Sequence, residues 1–214
     1  MRLSLRSHIL LPFIALIIIT SIAIIGSVLF ATSNNINNQA EEELHTGKRV
    51  FERLMSVRGD QLITSSEILV SDFGFKTAIA SEDNNTILSA LENYQQRINV
   101  DLMMIHDLDG ALVSTTDKNH PYILTEEIID KIKEDGGILT ALLIKDSAYQ
   151  VAILPVMAPT AIAWATIGVA IDNDFANELK NLTNLDISFS GSIKDSNANP
   201  GIFHISTLAN TTSK

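Results

Sequence analysis

The spacing of apolar positions changes several times along this chain, and each change marks an element. Residues 9–31 are predominantly apolar and carry no charge. A helix of that run spans about 35 Å at ~1.5 Å per residue, more than the ~30 Å hydrocarbon core of a bilayer. Pro12 sits in its first turn, where proline is tolerated. Over 36–72, Leu44, Phe51, Met55, Leu62 and Leu69 recur at spacings of 7, 4, 7 and 7. They form one stripe near the helical period and predict a single long helix. Glu41, Glu42 and Glu43 lie near its start, where acids suit the helix dipole. Residues 73–100 read as two short helices. Asp83 or Asn84 caps the second, whose inner face is Ile87, Leu91, Tyr94 and Ile98.

After residue 100 the period shortens. The stretch "DLMMIHDLDGALVSTT" gives two strands around Asp109-Gly110, a hairpin signal. "TEEIIDKIKEDGG" is a short helix with Thr125 as N-cap, acids first, lysines late and glycines at its end. "DNDFANELKNLTN" is helical again, and "LDISFSGSI" is a further strand. The 25 residues of 147–171 hold no charge and have two readings. As a membrane helix they would place Pro155 and Pro159 in the interior, at about 3 kcal/mol each in a water-soluble helix. Acids, not lysines, follow, at Asp172 and Asp174. As strands, 149–156 and 163–171 are rich in β-branched and aromatic residues, with "MAPTA" as the turn. The hairpin is favoured, since strands inside a helix-covered sheet can be this apolar. Helices on an antiparallel sheet make the fold class α+β.

Charge sharpens the N-terminal reading. The formal net charge is −10, and all 25 acids lie after position 40. Arg2 and Arg6 are the only two of 15 Lys and Arg residues before it, so the remainder carries 13 − 25 = −12. The positive-inside rule puts the N-terminus in the cytoplasm and the rest outside. A cleaved signal peptide would have a shorter apolar run and a small-x-small site; Leu29, two positions before Ala31, spoils that match. Such an acidic exterior argues against nucleic acid as a partner. The chain has no cysteine, which leaves neither disulfides nor thiolate metal sites.

Little of the remaining chemistry is catalytic. There is no phosphate loop, no His-Glu-x-x-His and no Gly-x-Ser-x-Gly, and the five histidines lack metal-ligand spacing. No enzyme activity, cofactor or metal is expected. Asp107 and Asp109 precede Gly110 too closely for an EF-hand loop and read as turn residues. Arg58-Gly59-Asp60 matches an adhesion tripeptide, but it falls inside the long helix rather than on a loop tip.

The post-membrane helix, the block from "SDFGFKTAIASED" to "IHDLDGALVSTT", the hairpin "YQVAILPVMAP…WATIGVAID" and the exit "FANELKNLTNLDISF" follow one another in a telling order. In that order they resemble a Cache domain, the PAS-like extracytoplasmic sensor of bacterial receptors. More narrowly, they resemble the double-Cache sensors of histidine kinases and diguanylate cyclases. The resemblance implies a transmembrane helix at 9–31 after a cytoplasmic 1–8, then a long helix and short helices at 32–98. A membrane-distal PAS-like lobe with its exit helix would occupy 99–190. The first strand of an incomplete second lobe would lie at 191–214, so the chain lacks an output domain. It also implies a small ligand between the sheet and the elements over it, in a protein of the bacterial inner membrane with a periplasmic or extracellular C-terminal part. Candidate ligand-binding residues are Tyr94, Arg97, His106, Asp107, Tyr149, Trp164 and Asp172, although the spaced amino-acid-binding set of such sensors is not found in them. Two other readings stand beside this one. In the first, the long helix forms a homodimer or docks a partner without sensing. In the second, 147–171 is a second membrane span.

Overall fold

The computed structural model describes residues 5–118, 121–192 and 202–207, without the side chains of 5–15, 28–41, 192 and 202–203. The chain divides into two compact units, Met1–Arg49 and Val50–Lys214. Helix α1 is Leu5–Ser71. In the first unit its residues 16–27 are all exposed, among them Leu16, Ile17, Ile22 and Ile25. The Thr20 hydroxyl donates to the carbonyls of Leu16 and Ile17, at 3.0 Å each. Among the described residues no helix is long and apolar enough to cross a membrane. Of the expected span 9–31, the side chains of 9–15 and 28–31 lie outside the described residues.

The second unit is an α+β domain. Helix α2 covers Phe73–Ala80 and α3 covers Asn84–Ile98. Asp72 caps α2 by accepting from the Phe75 N–H, and Asp83 caps α3 by accepting from the Thr86 N–H. Strands β1 (Leu102–His106) and β2 (Leu112–Thr115) form the first hairpin. Helix α4 (Glu126–Asp135) follows, capped by Thr125 and ended by Gly136 in the left-handed region. Then come β3 (Ile138–Ile144), β4 (Ser147–Met157), β5 (Ala161–Ile171) and α5 (Asn173–Thr183). The uncharged stretch is therefore a β4–β5 hairpin, and the reading of 147–171 as a second membrane helix is overturned. Its turn holds a cis Ala158–Pro159 peptide.

The five strands run in the order β2-β1-β5-β4-β3, all antiparallel. Alternation along β1, β4 and β5 divides the core in two. One face carries Met103, Ile105, Ala152, Leu154, Ala165 and Ile167 against Leu62 and Leu69 of α1 and Phe75, Ile87 and Leu91 of α2 and α3. The other carries Leu102, Met104, Tyr149, Val151, Ile153 and Trp164 against Leu124, Ile129 and Ile132 of the α4 segment. The predicted stripe is buried at Leu62 and Leu69, half-buried at Phe51 and Met55, and exposed at Leu44.

Helix α1 packs tightly on the sheet at Gly59. A β-carbon there would lie 2.5 Å from Leu139 Cδ2 and 2.8 Å from Gln150 Nε2. Gln150 uses the proximity, donating to the Met55 carbonyl at 2.9 Å. The middle of the Arg-Gly-Asp tripeptide is thus pressed against the sheet, which rules out its display as an adhesion loop. Strands β6 (Ser188–Ser192) and β7 (Ile202–Ser206) form a separate two-stranded sheet. Phe189 of β6 stacks on Phe175 of α5 at 5.9 Å, and Phe51 of α1 meets both rings.

Candidate functional site

The face of the sheet under α4 gathers three of the expected ligand residues. His106 ends β1 and lies opposite Trp164 of β5 in the strand register. Thr166 follows two residues on, so it shares the face with Trp164. His106 is fully buried. Its Nε2 lies 3.1 Å from the Tyr122 carbonyl, and its Nδ1 lies 3.4 Å from Thr166 Oγ1. In the neutral ring, Nε2–H donates to the carbonyl and the Thr166 hydroxyl donates to Nδ1. Burial keeps the ring neutral at pH 7. Burial pulls its pKa down to about 4, against smaller upward pulls from the Tyr122 backbone and the Asp107 charge. Trp164 Nε1–H donates to the Leu108 carbonyl at 3.3 Å. Two side chains of the sheet thus hold two loop carbonyls, one before β2 and one before α4.

Tyr149 of β4 belongs to the same apolar cluster and is nearly buried. Burial, followed by the charges of Asp117, Asp101 and Asp172, pushes its phenol pKa up, while a hydrogen bond with Ser147 opposes the shift. The phenol stays a donor at neutral pH in a negative field. Asp101 and Asp172 also fix backbone nearby. Asp101 accepts from the Ala170 N–H at 2.7 Å, and Asp172 caps α5 by accepting from the Phe175 N–H at 3.0 Å.

Tyr94 and Arg97 lie elsewhere, on α3 at the opposite face. The Tyr94 hydroxyl donates to Asp72 Oδ1. Its ring meets Phe75 edge-on at 5.4 Å, and the Arg97 guanidinium lies 5.1 Å from the ring centre. The Tyr94 hydrogen bond, then the Phe75 N–H, hold the Asp72 carboxyl below its usual range; the same bond raises the Tyr94 phenol. This group ties α2 to α3. Asp107 holds the first hairpin, its Oδ1 accepting from the N–H groups of Asp109 and Ala111. The seven residues therefore do not line one pocket. His106, Tyr149 and Trp164 share a face, with Asp172 acting on Tyr149 through its charge.

Thr166, Tyr122, Asp101 and Asp117 also act at this face and are not among the residues expected from the sequence. Thr166 was within reach, because alternation from Trp164 places it on the same face. Tyr122 and Asp117 lie in an aperiodic connection that carries no pattern to read. Among the described residues no group of three or more His, Asp or Glu could hold a metal.

Residues 37–212 match the family model described as the double sensory domain of two-component sensor kinase. No curated protein matches the sequence. The structure is similar to the crystal structure of the E. coli DcuS sensor domain, with a TM-score of 0.47 and 9% identity over 61% of this chain and 98% of that one. It is also similar to the Vibrio cholerae LuxQ periplasmic domain, with a TM-score of 0.47 and 12% identity over 76% of this chain and 77% of that one.

Proposed function

The chain belongs to the double sensory domains of two-component sensor kinases, and on that premise we propose that it is the signal-input part of a membrane receptor. The family match over 37–212 carries this reading. In it, residues 9–31 anchor the chain in the bacterial inner membrane and the remainder lies outside. Two observations support the anchor. Seven of its described side chains from Leu16 to Ile25 are large, apolar and exposed. Its Thr20 hydroxyl is satisfied within the helix, as a polar group in lipid must be. Cleavage of the C-terminal part by protease added to intact spheroplasts, with the protein in the membrane fraction, is the expected result. A protected C-terminus would reverse the orientation, and recovery in the soluble fraction would remove the anchor.

The ligand of this reading sits on the α4 face of the sheet beside Tyr149, six β5 residues, or about 20 Å, from Trp164 and His106. The carboxylates acting on Tyr149 favour a small molecule with a positive charge, such as an amine. A ligand here would act on the sheet only in so far as it binds one arrangement of the sheet better than another. The full chain in lipid nanodiscs would be melted with a panel of small metabolites, followed by Trp164 fluorescence. An amine at 100 times its dissociation constant stabilises by about 2.7 kcal/mol and raises the melting temperature. Tyr149→Phe should reduce that rise. A panel without any shift would defeat the ligand reading and leave the family assignment intact.

A further inference from the structure

We propose a second ligand site, for a short aliphatic monocarboxylate, between α1 and the opposite face of the sheet. It does not rest on the ligand reading above. A cavity of about 460 Å³ lies where α1, the α3–β1 junction and β5 meet. That volume falls within the ~300–1,000 Å³ of small-molecule sites. Four polar side chains line it: Arg58, Gln61 and Ser65 from successive turns of α1, and Asn99 from the junction. Leu62, Ile98 and Val169 supply an apolar wall. No carboxylate is among the lining residues.

Arg58 gives the site its chemistry. Its guanidinium lies 4.7 Å from the centre of the Phe175 ring, which fixes its plane and leaves its edge for hydrogen bonds. Its Nη1 is buried and has no hydrogen-bond partner among the described residues. A buried cationic N–H without a partner is costly, and such groups are almost always satisfied in native proteins. Among the described residues Arg58 also has no ion pair, in a chain whose exterior is strongly acidic. Gln61, Ser65 and Asn99 make no side-chain hydrogen bond to another described residue either. Asn99 sits in the left-handed region at φ 54°, as the C-cap of α3. Its backbone conformation thus sets its side chain at the cavity wall. A guanidinium edge, a hydroxyl and two amides match one carboxylate, with Arg58 pairing it in the forked geometry such groups favour. The apolar wall matches an alkyl tail. One cation and no second basic residue set the charge at one.

The occupant would touch α1 itself, on the turns flanking the close approach at Gly59. The test is calorimetric titration of the full chain in lipid nanodiscs with hexanoate and with hexan-1-ol, after subtraction of empty discs. Hexanoate should bind saturably, and the alcohol should bind at least about 30-fold more weakly, as loss of a buried charge pair predicts. Arg58→Gln should weaken hexanoate by a similar factor. Val169→Phe, which fills the cavity and leaves Arg58 in place, should abolish binding and so stands as the test if Arg58→Gln fails to fold. Equal binding of acid and alcohol, full hexanoate affinity in Val169→Phe, or no heat with hexanoate at about 10 mM would overturn the proposal.

Discussion

His106 shows how one buried side chain makes the sheet sensitive to pH. Unfolded, the imidazole takes its proton near the ordinary 6.5; folded, it does so only near 4. Between those values the unfolded chain binds the additional proton, so stability falls as pH drops through that window and the loss is complete below about 4. From pH 7 to 5 the expected loss is about 2 kcal/mol. The carboxyls of Asp72, Asp83 and Asp186 are all held below their usual 3.8, so their losses come at lower pH. The single tryptophan, Trp164, lies opposite His106 and reports the event by fluorescence. His106→Gln keeps a donor for the Tyr122 carbonyl and should remove most of the difference in denaturant midpoint between the two pH values. An unchanged difference would mean that another group titrates. The sequence places His106 on a strand through the period-two pattern around it. The pattern does not reveal its burial, because that depends on Tyr122 and Thr166, which lie 16 and 60 residues away.

At the scale of elements, the contact of α1 with the sheet is the most exposed to a single change. Gly59→Ala would add a methyl group where Leu139 and Gln150 already press. Alanine improves helix propensity by ~0.5–1 kcal/mol. Displacing Gln150 breaks its bond to Met55 and strands a buried amide, at about 1–3 kcal/mol. The second effect wins, and urea titration followed by Trp164 should show a net loss of about 1 kcal/mol. A gain in stability would show that Leu139 and Gln150 move aside freely. The stripe from Phe51 to Leu69 made this helix legible in the sequence. Its tight contact at Gly59 was not legible, since a helical glycine ordinarily signals weakness rather than proximity. The β4–β5 hairpin was legible from Pro155, Pro159 and the acids after it, even though its composition equally suits lipid. Division of the candidate residues between two faces was not, because Tyr94 and Arg97 precede the sheet and their face depends on how α3 packs.

Across the second unit, stability is not uniform. Strands β4 and β5 are the longest, each of 11 residues, and lie inside the sheet with a core on both faces. Among the described residues, strands β6 and β7 pair only with each other and share a small cluster with Ala176 and a few neighbours. Lys180 helps by reaching Asp186 at 2.6 Å, but that pair is close to half exposed and contributes little. Hydrogen exchange should therefore be slowest at Val151–Ile153 and Ala165–Ile167 and fastest, among the strands, at β6 and β7. Equal protection throughout would mean that the two sheets unfold as one.

The position of β5 has a consequence for synthesis on the ribosome. It is the last strand of the five-stranded sheet in the chain and the middle one in space, pairing Leu102 with Gly168 across 66 intervening steps. Until residue 171 has emerged, the nascent chain holds two hairpins, β1–β2 and β3–β4, with nothing to join them. Each then presents an open edge and an uncovered apolar face of the kind that holding chaperones bind.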